Sequence, residues 1–220
     1  MRNYFRYFIY LFVFIGFSAS SAGSFEDYFA AVARDDASTV QNLLRRGFDP
    51  NTVNEKGLTG VFIAVRTPSP KVLNVLLAAP KIQVETRNEK DESPLMLAAL
   101  QGDLATCQKL IAKDADVNKT GWAPLHYAAT NGHVAVMQLL LDENAYIDAE
   151  SPNKTTPLMM AASYGSTEAV KFLLEAGADP TLKNEKNLSA LDFAQKASRP
   201  DAIELIGAAV RKRGVKQGTW

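Results

Sequence analysis

The chain has 220 residues with 24 basic and 24 acidic side chains, so its formal net charge is zero. Apolar residues make up 47% and charged residues 22%, which excludes a disordered or collagen-like chain. Neutrality argues against bulk electrostatic binding to nucleic acid or anionic membrane. One cysteine, Cys107, excludes an internal disulfide, and two histidines, His126 and His133, exclude a His-rich metal site.

Met1–Ala22 has the layout of a secretory signal peptide. Arg2 and Arg6 form a basic start, Tyr7–Phe17 is an apolar run of 11 residues, and Ser20 and Ala22 stand where a signal peptidase reads small side chains. The run falls short of the roughly 20 residues that a spanning helix needs. Export, to the periplasm in a bacterium, is the expectation, with no membrane association after cleavage. An uncleaved N-terminal anchor is the alternative. Cleavage after Ala22 would remove Arg2 and Arg6 and leave 198 residues with a net charge of −2.

The remainder repeats. Ser93-Pro94-Leu95-Met96, Ala123-Pro124-Leu125-His126, Thr156-Pro157-Leu158-Met159 and Ser189-Ala190-Leu191-Asp192 align, after degenerate copies at Phe25 and Thr59. The start-to-start spacings are 34, 34, 30, 33 and 33 residues, the signature of a solenoid array. Where the motif is complete, a Thr or Ser can cap a helix whose first residue is Pro, as at Ser93-Pro94 and Thr156-Pro157. Small pairs follow: Ala30-Ala31, Ala98-Ala99, Ala128-Ala129 and Ala161-Ala162. Gly102, Gly132 and Gly165 are expected to close that helix with positive φ. A second helix carries Leu43-Leu44, Leu76-Leu77, Leu110-Ile111, Leu140-Leu141, Leu173-Leu174 and Leu205-Ile206. Gly47, Asp114, Asn144 and Gly177 then share a turn position that favours the left-handed region. A polar hairpin leads to the next cap.

These residues, above all Ala123 to His133, Thr156 to Gly165 and Leu173 to Asp179, resemble the ankyrin-repeat family. The resemblance spans residues 24–210. It implies an all-α solenoid of about six helix–turn–helix units joined by β-hairpin-like turns, with a concave recognition face. The units start near 25, 59, 93, 123, 156 and 189 within residues 23–213, and 214–220 form a tail. Three places depart from the pattern. Pro80 cannot take positive φ, so the turn there must differ. Pro68 and Pro70 make the second unit's inter-helix loop atypical. Between the third and fourth units the hairpin is shortened to Asn118-Lys119-Thr120-Gly121-Trp122, which should interrupt the hairpin row.

Catalytic, metal and cofactor sites are not expected: no phosphate loop, metal-ligand spacing or nucleophile elbow is present. His126 and His133 fall at positions that are structural in ankyrin repeats, and Cys107 shares an apolar column with Val40, Leu73, Met137, Val170 and Ile203. The basic run Arg211-Lys212-Arg213 is read as a solvated segment after the last helix. The expected activity is non-enzymatic binding of another protein by a monomer, with no nucleic acid involved. The resemblance implies partner-facing positions just before each cap (Leu58, Glu92, Trp122, Thr155, Leu188) and after each small pair (Arg66-Thr67, Leu100-Gln101, Thr130-Asn131, Ser163-Tyr164). Trp122, Tyr164 and Leu100 are the expected apolar anchors in mid-array, with Arg66, Gln101, Asn131 and Leu188 around them.

Overall fold

A computed structural model describes residues 23–217, so Met1–Ala22, on which the expectation of export rests, and the last three residues lie outside the described residues. The chain divides into two compact units, one up to Thr86 and one from Arg87 onward. The first contains α1 (23–33), α2 (Ala37–Arg45), α3 (Gly60–Arg66) and α4 (Pro70–Leu77). The second contains α5 (Pro94–Gln101), α6 (Leu104–Ile111), α7 (Pro124–Asn131), α8 (Val134–Asp142), α9 (Pro157–Ser163), α10 (Thr167–Glu175), α11 (Ala190–Lys196) and α12 (Pro200–Gln217). Extended pairing among the described residues is limited to single antiparallel bridges, Val53 with Thr59 and Lys183 with Ser189.

The helices start where the caps dictate. Side-chain hydroxyls of Thr59, Ser93, Thr156 and Ser189 accept the backbone N–H of Phe62, Met96, Met159 and Asp192 at 3.3, 3.2, 3.4 and 3.4 Å. Ala123 has no hydroxyl, and His126 compensates partly: its Nδ1 accepts the Ala123 N–H at 3.1 Å. The first repeat differs, because α1 already runs through Phe25 and needs no cap there. Helices of seven or eight residues are marginal alone, so packing holds them. In the second unit α5, α7, α9 and α11 stack in that order. Their small pairs Ala98-Ala99, Ala128-Ala129 and Ala161-Ala162 are fully buried.

The left-handed turns largely fall where the sequence places them. Gly47, Asp114, Asn144 and Gly177 have φ of 91°, 65°, 64° and 104°. At Pro80 the turn shifts by one residue, and Lys81 takes φ of 60° instead. Gly165 corrects the expectation of positive φ. Gly102 and Gly132 have it, at 73° and 72°, but Gly165 does not. It is required by contact: a Cβ there would lie 2.4 Å from the Ala129 carbonyl oxygen and 2.9 Å from Ala161 Cα.

The atypical loop between α3 and α4 is held from outside. Ser69 gives no side-chain cap to α4, and Asp35 Oδ1 accepts the Val72 N–H at 2.8 Å instead. The last helix corrects the tail boundary at 214. Its backbone continues to Gln217, so Arg211-Lys212-Arg213 lies on α12 rather than after it. Arg213 pairs with Asp179 at 2.8 Å.

Candidate protein-binding face

The groups that could carry chemistry are spent on structure. His126 is fully buried, accepts the Ala123 N–H at Nδ1 and donates Nε2–H to the Thr155 carbonyl at 2.9 Å. Burial lowers its pKa from the ordinary imidazole value, so the ring is neutral in one fixed tautomer. His133 is half-buried and bonds the Leu100 carbonyl at 3.0 Å. Cys107 is fully buried, and desolvation, aided by the charge of Asp103, pushes its thiol up to about 12. Among the described residues no cluster of His, Cys, Asp or Glu suits a metal, and no helix is long and apolar enough to cross a membrane. The groove between α10 and α12, about 700 Å³, is open and lined by Leu174, Leu205 and Ala209 with Lys171, Lys212 and Arg213 at its rim.

The surface of the second unit is more informative. At the N-terminal end of α7, Tyr127 donates its hydroxyl to Glu92 at 3.2 Å, next to the start of α5. At the other end, Asn131 Nδ2 donates to the Leu100 carbonyl at 2.7 Å. The two helices therefore run side by side in the same direction. Burial raises the Tyr127 hydroxyl pKa, reinforced by the negative charge of Glu92, which keeps the phenol protonated.

This geometry separates the expected anchors. Trp122 is half-buried just before α7, edge-on to the His126 ring with centroids 5.2 Å apart. Leu100 is half-buried at the far end of α5, and Tyr164, 67% exposed, caps the far end of α9. A helix of eight residues is about 12 Å long and neighbouring helices lie about 8–10 Å apart, so the three do not form one compact patch. Gln101 and Asn131 are exposed at that same far end, with the Asn131 amide already bonded to Leu100. Leu188 is half-buried, and its backbone N–H is held by Asn184 Oδ1 at 3.0 Å. Arg66 is exposed at the end of α3, in the first unit.

A column that the sequence reading missed lies between the two ends. Leu97, Tyr127, Met160 and Phe193 each stand four residues after a cap, and all four are half-buried. They line up across α5, α7, α9 and α11 as an apolar stripe. The signal was present as apolar identity recurring at 30, 33 and 33 residues. It was masked because apolar residues on a short amphipathic helix read as core. A second missed residue is Tyr146, also 67% exposed, in the turn after α8.

A stack of short helix pairs with a half-buried apolar stripe and hydrogen-bonded histidines defines a repeat array. Models of ankyrin repeats in sets of three match residues 28–120, 69–151, 95–184 and 125–211. The chain belongs to the ankyrin-repeat family, whose repeats generally mediate protein–protein binding. It is similar to a probable E3 ubiquitin-protein ligase of Oryza sativa subsp. japonica, 32% identical over 139 residues, covering 60% of this chain and 31% of that protein. It is also similar to the nuclear factor NF-kappa-B p105 subunit of Gallus gallus, 31% identical over 161 residues, covering 70% of this chain and 16% of the relative. The matched parts span under a third of these curated relatives. Two solved structures match nearly their whole chains. One is a chain in the complex of a predatory endopeptidase from Bdellovibrio bacteriovorus with an immunity protein, at TM-score 0.73 and 26% identity, covering 83% of this chain and 97% of that one. The other is an ankyrin repeat domain from Acinetobacter baumannii AYE, at TM-score 0.74 and 24% identity, covering 83% and 98%.

Proposed function

We propose that the protein is a non-enzymatic binding array that acts after export and holds another exported protein. The carrying observation is the apolar stripe Leu97, Tyr127, Met160 and Phe193, flanked by exposed Gln101, Asn131 and Tyr164. Such a surface recognises a protein by burying aromatic and aliphatic anchors, and a stacked array loses little ordering entropy on docking. The arrangement of Met1–Ala22 supports export. The likeness to a chain from an endopeptidase–immunity protein complex favours an exported enzyme as the partner, held in a regulated or inhibited state.

The test uses residues 23–220 as bait against the exported fraction of the source cell. A captured secreted protein that is lost with the Tyr127→Ala/Tyr164→Ala double variant, at unchanged helical circular dichroism, supports the reading. Equal capture by the double variant refutes it. Mass spectrometry of the native protein decides the N-terminus: loss of residues 1–22 establishes cleavage, and their retention in the membrane fraction establishes a tethered adaptor.

A further inference from the structure

The groove between α10 and α12 owes its shape to one position of the turn column. Gly47, Lys81, Asp114, Asn144 and Gly177 all take positive φ in the turn after a second helix. The next member of that column, 33 residues after Gly177, is Val210. A β-branched side chain is strained in the left-handed region, so no turn forms there. Instead α12 runs for 18 residues, where α2, α4, α6, α8 and α10 have eight or nine. The added length reaches past the end of α10, since Arg213 meets Asp179, four residues beyond Glu175, at 2.8 Å.

This overhang extends one wall of an open groove of about 700 Å³. Half-buried Leu174, Leu205 and Ala209 form its floor. Leu205, Ala209 and Lys212 follow one another at four and three residues, so one face of α12 carries both apolar floor and a cation. Lys171 stands opposite on α10. Of the three cations at the rim, Arg213 is neutralised by Asp179. Lys171 lies 3.9 Å from Glu175 with the two side chains 62% and 68% exposed, a pair worth little in water. Lys212 is exposed and pairs with no acid among the described residues. The groove one repeat earlier, between α8 and α10, has the opposite sign, with Asp142 and Glu175 in its lining.

We infer that the groove between α10 and α12 docks an acidic amphipathic helix of a partner protein. The aliphatic face of that helix lies on Leu174, Leu205 and Ala209, and carboxylates flanking the face meet Lys171 and Lys212. A helix laid along an apolar groove is a recurring mode of recognition, and the sign of the rim charges selects this groove over its neighbour. An anionic bilayer fits less well. It takes up a protruding apolar face, whereas the apolar atoms here lie recessed between two helices. The groove is built by second helices and the apolar stripe by the first helices α5, α7, α9 and α11, so this is a separate site on the binding array proposed above.

The test is fluorescence anisotropy of residues 23–220 with two labelled helical peptides of about 18 residues. One has leucines along one face and glutamates elsewhere, and the other has lysines in place of the glutamates. The glutamate peptide should bind, and should weaken with added salt and roughly tenfold on Lys171→Glu/Lys212→Glu. Ala209→Glu keeps a good helix former but sets bulk and negative charge on the floor, and should abolish binding. Thermal melts confirm folding of the variants. Tyr127→Ala/Tyr164→Ala should leave peptide binding unchanged, which separates this site from the stripe. No binding of the glutamate peptide, equal binding of the lysine peptide, or indifference to Ala209→Glu overturns the inference and leaves the stripe untouched. Binding to phosphatidylglycerol vesicles through Lys171 and Lys212, without peptide binding, assigns the groove to a membrane and overturns it too.

Discussion

His126 joins two repeats through one ring, and that makes acid stability a direct test of its role. Its Nδ1 accepts the Ala123 N–H and its Nε2–H donates to Thr155, both in full burial. Protonation would place a second N–H against the Ala123 donor, so the folded protein resists it. The folded pKa lies below the ordinary 6.5 because of desolvation. The sign follows from linkage. As pH falls below 6.5, the unfolded chain takes up the proton first, so stability drops until the folded ring titrates as well. The limiting slope is about 1.4 kcal/mol per pH unit for one proton. His126→Gln removes that slope and costs stability at neutral pH: two buried backbone groups lose partners, at about 1–3 kcal/mol each where the amide fails to replace the ring. The assay is urea denaturation followed by circular dichroism between pH 7.5 and 5. Wild type should converge on the variant as pH falls. Parallel pH profiles would refute the tautomer assignment and the depressed titration together.

Three further outcomes are expected. Gly165→Ala should destabilise by about 1–3 kcal/mol, because its Cβ meets the Ala129 carbonyl. Gly177→Ala, with open space but φ of 104°, should cost only about 1 kcal/mol from backbone strain. The two are compared by thermal melts. Cys107 should be unreactive toward a thiol reagent at pH 8 in the folded protein and reactive in urea, since burial holds its pKa near about 12. Arg213→Ala should change stability by under about 1 kcal/mol, as befits a partly exposed pair with Asp179.

Most of the fold was legible because a repeat supplies its own internal comparison. The caps at Thr59, Ser93, Thr156 and Ser189 and the buried alanine pairs follow from residue type and period alone. Where the reading failed, contact rather than local preference decided the backbone. Gly165 looks identical to Gly102 and Gly132 in sequence, yet it is a glycine because α7 and α9 approach closely, a fact of packing. The helix through Gln217 was missed because a basic run reads as solvated tail, whereas Arg213 has Asp179 to hold it. The candidate face was only half legible. Family positions supplied Tyr164 and Gln101, but the stripe through Tyr127 and Phe193 required knowing which apolar side chains the stacked helices leave half-covered.

The same column logic separates residues kept for structure from residues free for recognition. Asp49, Asp116 and Asp179 occupy one position in the turn after the second helix, and each accepts the backbone N–H two residues on, at 2.9, 2.8 and 2.9 Å. This local bond stabilises the turn. Tyr146 stands in that column, cannot accept the bond through a carboxylate, and leaves its ring 67% exposed. It loses a turn contact without gaining burial. Trp122 stands in the hairpin column that elsewhere holds Leu58, Glu92, Thr155 and Leu188, half-buried with its ring edge-on to His126. Tyr164, by contrast, ends its helix in solvent. On the proposed binding reading, the exposed rings of Tyr146 and Tyr164 are the candidates for partner contact. Tyr146→Asp should therefore restore the turn bond and stabilise the fold by about 0.5–1 kcal/mol while weakening partner capture. A variant that gained stability with capture unchanged would remove Tyr146 from the binding surface.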